Sequence, residues 1–498
     1  MERGNFGSKI GAILASAGSA VGLGNIWRFP TECGSNGGAA FILIYLLCVF
    51  FLAMPVMVAE FVIGRSSRSN AVGSYRVLAP GKPWVVSGFM GVLAGFLVLS
   101  YYSVVAGWTL DYTYESLVGN LMSGSDFGQY FADFVASPWR PVLFLTIFLL
   151  ITHYVVAAGV EKGIERYSKI MMPLLLLIIL VLAVFSLTMP NAMEGIRFLL
   201  TPDFSKVTKD VVISAMGQAF FSLSVGMGTL ATYASYFNRE TKLLPSAVGV
   251  CTIDTMVAIS AGFIIFPAVF SVGVSADSGP GLVFITLPYV FQEAFGSVPV
   301  LEYLFSGLFY VLLLLAALTS SISMHEISTA YIHETFKLSR PKAAAIVTAV
   351  CFLMGIACSL SFGLWKDVTV MGKGFFDLGN VQCLHPSCVK LRGDIHTGIF
   401  QRCRVQRFPD AQGRKNAPGD QFIGSHIRYD TSFRENDDPI YIAIQNVFQT
   451  MLDDHNGFLK LLLDLIDEVN GGFAAYGGVN CRKKGCGYLN KRYASEKK

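Results

Sequence analysis

Charged residues are scarce in this 498-residue chain, at 14%, whereas soluble domains carry roughly 25%. Hydrophobic residues make up 53% of it, and the mean hydropathy is +0.53. The net charge of +4 is too small to indicate a nucleic-acid partner. These values predict an integral membrane protein in contact with the lipid bilayer.

The sequence also lacks the usual marks of a disulfide framework or an enzyme. Its ten cysteines divide equally about residue 377, and those before it lie in or beside apolar segments, typical of small buried hydrophobes. There is no phosphate-binding loop, nucleophile elbow or metal-hydrolase motif, so we do not expect an enzyme. The first apolar segment runs directly into a glycine motif, and we expect it to remain as a span rather than to be removed as a signal peptide.

Apolar segments are concentrated in the first three quarters of the chain, where about one residue in nine is charged, against about a quarter after residue 377. About nine segments approach the ~20 residues that a helix needs to cross a bilayer. They are predicted at 10–30, 38–64, 86–112, 141–160, 167–189, 211–236, 244–273, 300–334 and 343–364. A tenth begins near Phe375 and then fails.

Basic residues collect after every second predicted span, as Arg65, Lys242 and Lys337 illustrate. The intervening loops carry acids such as Asp126 and Asp277. By the positive-inside rule this alternation predicts a multi-pass protein of the cytoplasmic membrane with a cytoplasmic N-terminus.

Two predicted spans contain nearly the same glycine motif, AVGLG at 20–24 and SVGMG at 224–228. Each glycine costs a helix roughly 1 kcal/mol relative to alanine. In lipid a broken helix leaves backbone groups without partners, which is tolerated where they line a cavity. Two five-span units that each open with a broken helix would have opposite orientations, an inverted repeat typical of transporters with a central binding site.

Several polar side chains lie deep within predicted spans: Asn25, Glu60, Tyr102, Ser222, Asp254, Thr319 and Ser320. Glu60 could accept hydrogen bonds from backbone freed at a break, and Asp254 could bind a hard cation. Each also has a simpler interpretation. Lone hydroxyls usually bond to their own helix, glycines often form packing surfaces, Glu60 could bridge two helices, and Tyr102 could be an interfacial anchor. The twin breaks, buried acids and hydroxyl cluster together favour the functional interpretation.

Residues 1 to about 377 resemble the neurotransmitter:sodium symporter family, in its bacterial amino-acid branch with the leucine-transporter-type fold. The resemblance is carried by GSAVGLGNIWRFP at 18–30, NGG at 36–38, AEF at 59–61, KGIER at 162–166, TPDF at 201–204, GQAFFSLS at 217–224, TYASY at 232–236, TLP at 286–288 and LTSS at 318–321. It implies an all-α polytopic membrane protein with broken helices 1 and 6.

The resemblance implies two sodium sites built from oxygen ligands, as a hard ion prefers. The first would lie among Ala20, Asn25, Ser222 and Asp254, with the substrate carboxylate completing the shell. The second would use the carbonyl groups of Gly18, Val21 and Ala316 and the hydroxyls of Thr319 and Ser320.

The substrate implied by the resemblance is an amino acid bound between the two breaks. Its carboxylate would meet Leu23, Gly24 and the Tyr102 hydroxyl, since half-helix N-termini favour anions. Its amino group would face carbonyl groups around Ala20, Phe221 and Ser222. The site residues expected around it are Ser19, Ala20, Leu23, Gly24, Val98, Tyr102, Phe221, Ser222, Ser224, Met227, Ser320 and Met324. This mostly apolar pocket with adaptable methionines predicts neutral, bulky substrates such as leucine, methionine, tyrosine or tryptophan.

Two positions narrow this expectation. Gly24 stands where monoamine carriers of the family have an aspartate, so the substrate should bring its own carboxylate. Asp254 stands where asparagine is also found in the family, and its negative charge could replace the chloride that animal members use. We therefore expect no chloride requirement and allow for proton involvement.

Gating residues also follow from the resemblance. Arg3 would pair with Glu334 on the cytoplasmic side near Tyr236, and Arg28 would guard the outer side. The acid that partners this arginine in the family lies in the tenth span, where the present sequence departs from the pattern.

Residues 378–498 do not fit the family and cannot supply another span. They are polar, and their paired cysteines lack the short spacing typical of a zinc site. One hypothesis is a reading-frame slip near Leu378, since the shifted frame of 381–387 permits the family-like sequence SNAYILP. The alternative is a genuine soluble tail, and sequencing the coding DNA around codon 378 distinguishes the two.

These observations predict sodium-coupled symport of neutral L-amino acids by alternating access. Two alternatives stay open at this point. One is a transporter-like amino-acid sensor, in which the tail carries the signal, and the other is a non-functional symporter that ends early. The sequence does not give the oligomeric state.

Overall fold

The first apolar segment forms two helices rather than one in a computed structural model that describes residues 4–123, 126–189, 191–271, 282–295, 298–368 and 375–376. Helix α1 (Lys9–Ala20) begins where the Ser8 side chain accepts the Gly11 N–H, and it ends at Val21 in an extended conformation. A second piece covers Gly24–Ser35 at 50° to the first. It starts as a π-helical turn over Gly24–Arg28 and continues as α2 (Phe29–Ser35).

Every regular element in the described residues is helical. The helices that follow are α3 (Ala39–Cys48), α4 (Met54–Ser67), α5 (Ala71–Leu78), α6 (Val85–Val118), α7 (Phe127–Ala136), α8 (Arg140–Ala157), α9 (Arg166–Leu187), α10 (Ala192–Leu200), α11 (Lys209–Ser222), α12 (Thr229–Ala234), α13 (Leu243–Ser271), α14 (Thr286–Phe295), α15 (Pro299–Thr335) and α16 (Arg340–Leu360). One π-helical turn, Val49–Ala53, joins α3 to α4. Another, Val160–Glu165, leads into α9.

The described part of the chain contains seven helices long and apolar enough to cross a membrane, or eight when the bent first pair counts as one span. They cover 39–67, 85–118, 140–157, 160–187, 243–271, 299–335 and 340–360, so each corresponds to a predicted span. The all-α prediction, with its interruption of the first span, is confirmed.

The predicted sixth span, 211–236, is interrupted as well. Helix α11 ends at Ser222, and α12 does not begin until Thr229. Between them Ser224 has a φ of +53°, followed by positive values at Gly226 and Gly228. The two glycines take this left-handed conformation at little cost, whereas for Ser224 it is a strained backbone that neighbouring contacts must hold.

The two long helices α6 and α15 pack along each other and form the centre of the helical packing. Helix α1 packs against α13 and α15, while α12 packs on α4 and α11 on α3. Both interrupted segments therefore lie against continuous helices. A small-residue contact makes one of these approaches possible, since a Cβ added at Gly64 of α4 would lie 1.9 Å from the Ala231 carbonyl oxygen of α12.

Three predictions concern residues outside the described part of the chain. They are the cytoplasmic gate arginine Arg3, the disrupted tenth span beyond Phe376, and the nature of residues 378–498.

We expect Gly64→Ala to destabilise the protein by about 1–3 kcal/mol, because the added methyl group overlaps backbone that cannot rotate away. Gly217→Ala is the matched control, since Gly217 lies in α11 and a Cβ there meets nothing within 4 Å. That change should be neutral or stabilise the helix by up to about 1 kcal/mol. Thermal unfolding of the two variants in detergent checks this, and equal unfolding temperatures would contradict the close α4–α12 contact.

Candidate functional site

The two breaks meet at the centre of the described structure and are tied together by side chains. The Ser224 hydroxyl, in the second break, donates to the Ser19 carbonyl oxygen at 3.0 Å, at the end of α1. From α15, the Ser320 hydroxyl donates to the Val21 carbonyl oxygen at 3.1 Å. Backbone groups released by the first break thus find partners on two other elements, as a membrane-embedded break requires.

A buried polar cluster lies beside the first break. The Asn25 side-chain amide donates to the Ser222 hydroxyl at 3.0 Å and to Asp254 Oδ1 at 2.7 Å. Ser222 donates to Asp254 Oδ2 at 2.8 Å, and the Tyr45 hydroxyl lies 3.4 Å from the same oxygen. An amide, a hydroxyl and a phenol surround this carboxylate, and none of them carries a positive charge. A buried carboxylate in such surroundings favours a cation as its further partner.

The amide orientation bears on how this cluster binds an ion. Asn25 Oδ1 accepts the Gly22 N–H at 3.0 Å, so its nitrogen faces Asp254. A cation held by Asn25 and Asp254 together needs the amide oxygen to face the carboxylate, and therefore a rotation of the amide. Ala20, the remaining predicted member of this set, is buried in the last turn of α1.

A second group of oxygen atoms lies between α15 and the first break. The Thr319 hydroxyl is within hydrogen-bond distance of the carbonyl oxygens of Val21, at 3.1 Å, and Ala316, at 3.0 Å. Ser320 joins it through the same Val21 carbonyl, and a Cβ at Gly18 would lie 3.4 Å from Thr319 Cβ. All five residues predicted for the second sodium site are thus brought together. In this structure the Thr319 and Ser320 hydroxyls donate to carbonyl oxygens. Each hydroxyl oxygen keeps lone pairs that could bind a cation.

Among the described residues no group of three or more histidine, cysteine or acidic side chains could hold a metal ion. The oxygen atoms around Asp254 are neutral apart from its own carboxylate, and oxygen is the ligand that a hard cation prefers.

The predicted carboxylate-binding end of the pocket is sterically tight. The Leu23 N–H donates to the Tyr102 hydroxyl at 3.2 Å. A Cβ at Gly22 would lie 2.2 Å from Ser320 Oγ, and one at Gly24 would lie 2.8 Å from the Phe221 ring. These two glycines leave no room for a side chain, so the backbone of the first break is itself the surface presented here.

The residues predicted to contact the substrate side chain lie at different levels along α6 and α15. Val98 lies one turn before Tyr102 on α6, and Met324 one turn after Ser320 on α15, and both are buried. Met227 lies in the second break, and its carbonyl oxygen would be 2.7 Å from a Cβ at Gly91. Gly91 is two turns from Val98, roughly 10 Å along α6. The Met227 backbone is therefore packed well away from the level of Val98.

On the C-terminal side of the first break, Arg28 contacts the second interrupted segment. Its Nη1 donates to Gln218 Oε1 at 2.7 Å, and Gln218 Nε2 donates to the Gly24 carbonyl oxygen at 2.9 Å. The guanidinium lies 5.0 Å from the centre of the Phe221 ring, and it pairs with Glu32 at 3.5 Å. Sequence analysis identified Arg28 and Phe221 but missed Gln218, whose position four residues before Ser222 places it on the same helical face.

On the side of α1 nearest the N-terminus, Tyr236 donates to Glu326 Oε1 at 2.6 Å, and Arg340 forms an ion pair with both oxygens of Glu326. Glu334 accepts the Asn70 backbone N–H at 3.0 Å and its side-chain amide at 2.8 Å. Sequence reasoning did not pair Glu326 with Arg340, because fourteen residues and a loop separate them.

Glu60 of α4 supports the second break. Its carboxylate accepts the Gly226 N–H at 2.6 Å and the Ala231 N–H at 3.3 Å. These bonds hold the left-handed stretch and the start of α12 on the same buried side chain, so Glu60 bridges the two sides of this break.

Comparisons with known proteins agree with this architecture. The sequence matches the Sodium:neurotransmitter symporter family over residues 3–130 and 135–372. An uncharacterized sodium-dependent transporter of Bacillus subtilis (strain 168), YhdH, is 43% identical over 378 residues, or 75% of this chain and 82% of the relative. Sodium-dependent nutrient amino acid transporter 1 of Drosophila melanogaster is 27% identical over 442 residues, covering 73% and 67% of the two chains.

The crystal structure of MhsT in complex with L-phenylalanine resembles this structure with a TM-score of 0.70 and 46% sequence identity. The similarity covers 76% of this chain and 86% of MhsT. The chain and MhsT are therefore similar in both fold and sequence.

We expect Glu60→Ala to destabilise the protein strongly, because it leaves two buried N–H groups without an acceptor, at about 1–3 kcal/mol each. Glu60→Gln keeps one acceptor oxygen of nearly the same shape and should lose less. Thermal unfolding in detergent, compared across the two variants, measures the difference. Equal losses would show that the Glu60 contacts with the second break are not what stabilises it.

Proposed function

The chain belongs to the sodium:neurotransmitter symporter family, a family of transporters rather than enzymes, and we propose that it carries out sodium-coupled symport of neutral, bulky L-amino acids. The observation that carries this proposal is the meeting of the two breaks between the Asn25–Ser222–Asp254 cluster and the Thr319–Ser320 hydroxyls. A central site built from broken helices suits alternating access, in which the same site opens to either side of the membrane in turn.

Two sodium ions are proposed as co-transported ligands. One is bound at the Asp254 cluster, where the buried negative charge has only neutral protein partners. The other is bound by Thr319 and Ser320 with carbonyl oxygens of the first break. Binding at the first site rotates the Asn25 amide, which then gives up its bond with the Gly22 N–H. This links ion binding directly to the conformation of the break.

The substrate proposed is an α-amino acid with an apolar side chain. Its carboxylate binds at Leu23, Gly24 and Tyr102, where the second half-helix begins and favours an anion. A Cβ at position 24 would lie 2.8 Å from the Phe221 ring, which disfavours a built-in aspartate there, and in this proposal the substrate supplies the carboxylate itself. The presence of L-phenylalanine in the MhsT complex supports this class of substrate.

The charge of Asp254 makes a bound chloride unnecessary in this proposal. At the first site the negative charge beside the proposed sodium ion is covalently part of the protein and is held by Ser222 and Tyr45. The proposal also places the protein in the cytoplasmic membrane with its N-terminus in the cytoplasm, as the alternation of basic loops supports.

The symporter core is proposed to end near residue 377. The family match stops at residue 372, which supports a change of character close to this point. A reading-frame slip near Leu378 is the proposed origin of the tail.

Purified full-length protein should bind labelled L-phenylalanine or L-leucine in sodium and not in potassium. Asp254→Asn should weaken sodium-dependent binding by at least about tenfold, since it removes the charge that faces the ion. Asp210→Asn, at an exposed acid in the first turn of α11, is the matched control. Competition by unlabelled amino acids should rank bulky neutral ones above glycine and glutamate. Equal binding in the two salts, or a preference for glycine or glutamate, would contradict the proposal.

Replacing chloride with gluconate should leave sodium-dependent binding or uptake unchanged within about twofold, because Asp254 provides the negative charge. The comparison is made at constant sodium concentration and ionic strength. A collapse of activity in gluconate would show that Asp254 does not substitute for an anion.

A further inference from the structure

Glu32 occupies an unusual position on the outer half of the first interrupted span. Its Oε1 lies 3.5 Å from Arg28 Nη2, one turn earlier on the same helix. Its Oε2 accepts a hydrogen bond of 2.5 Å from the Ser214 hydroxyl of α11. The Asn36 side-chain amide lies 3.3 Å from the same oxygen and donates to the Glu32 carbonyl oxygen at 2.8 Å. Both carboxylate oxygens are therefore engaged, one within its own segment and one across to the second interrupted span.

This pair is poorly suited to stabilising a helix. In an i,i+4 pair the order with the acid first is the more favourable, and here the arginine comes first. Ion pairs that stay accessible to solvent contribute little to helix stability, because water screens their charges. The two side chains are 27% and 19% exposed. Local stability therefore does not account for the arrangement, and its contacts across to α11 become the relevant feature.

Those contacts form a continuous chain of polar bonds. Ser214 holds Glu32, Glu32 faces Arg28, Arg28 donates to Gln218, and Gln218 donates to the Gly24 carbonyl oxygen. Ser214 and Gln218 lie one turn apart on α11. The chain thus runs from the outer end of the half-helix back to the break, and it crosses between the two interrupted spans three times.

The chain also fixes Arg28 over the site. The guanidinium lies 5.0 Å from the Phe221 ring centre, and that ring covers Gly24, where the substrate carboxylate is proposed to bind. An arginine without a fixed acidic neighbour can turn toward any anion nearby, including the substrate carboxylate itself. The carboxylate of Glu32 opposes such a movement, because it balances the guanidinium charge at its place in the chain.

We propose that Glu32 is a positioning residue of the outer gate, which holds Arg28 over Phe221 and joins the outer halves of the two interrupted spans through Ser214. The gate acid is thereby supplied from the same half-helix as the arginine. The inference rests on the proposed symport function and adds a residue to which that proposal assigns no role. It makes outer access to the central site depend on the charge of Glu32.

The test compares Glu32→Gln, Glu32→Asp and Ser214→Ala with the unaltered full-length chain in proteoliposomes, using sodium-driven uptake of labelled L-phenylalanine. Glu32→Gln should raise KM about tenfold with kcat changed by less than about twofold, since it alters access and not the amount of folded protein. Glu32→Asp retains the charge and should recover most of the KM. Ser214→Ala should have an intermediate effect. Glu194→Gln, at an exposed acid of α10, is the matched control.

A double-mutant cycle with Arg28→Gln decides whether the two charges act together. The KM effect of the double variant should be no larger than that of Arg28→Gln alone, because the role of Glu32 passes through Arg28. Multiplicative effects, a loss confined to kcat, or an unchanged KM in Glu32→Gln would overturn the gate role. The same cycle in the thermal unfolding temperature reports the ion pair without any transport. Absence of sodium-dependent binding in the unaltered protein would instead contradict the proposed function, which separates the two failures.

Discussion

Backbone N–H and carbonyl groups that lose their helical partners inside a membrane need other hydrogen-bond partners. The packing of this structure depends on the side chains that supply them at the two breaks. The first break passes its carbonyl groups to the hydroxyls of Ser224, Thr319 and Ser320, and one of its N–H groups to Tyr102. In the second break the Gly226 N–H donates to Glu60, as does the Ala231 N–H in the first turn of α12. Every one of these partners comes from another element. The hydrogen bonds at the breaks therefore hold neighbouring elements together, and those elements in turn stabilise the breaks.

The need to provide hydrogen-bond partners for the breaks also gathers oxygen atoms that could bind a cation. The Thr319 and Ser320 hydroxyls donate to carbonyl oxygens in this structure and keep lone pairs of their own for a cation, and Asp254 adds a negative charge surrounded by neutral donors. Because Asn25 bonds to both the first break and Asp254, an ion bound at Asp254 as proposed would change the hydrogen bonding of the break. Coupling between ion binding and conformation therefore needs no long pathway, since a single side chain belongs to both.

Much of this arrangement could be predicted from the sequence, for reasons that individual residues make clear. Glycine pairs in apolar segments locate the breaks, and apolar length locates the continuous spans, because both signals are local. The short helices α5, α7, α10 and α14 lack such a signal and were not predicted. The ion pair of Arg340 with Glu326 and the hydrogen bond of Arg28 with Gln218 depend on which elements meet in three dimensions. Sequence spacing alone does not show which elements meet, and the packing of the Met227 backbone against Gly91 of α6 is another contact of this kind.

The most direct test of the central claim is uptake by proteoliposomes that contain the full chain, under an inward sodium gradient at zero membrane potential. The account predicts that labelled L-phenylalanine accumulates inside above its external concentration, and that it flows out again when gramicidin collapses the sodium gradient. Accumulation that stops at equal concentrations, or that is the same with potassium in place of sodium, would contradict a sodium-coupled central site formed by the two breaks.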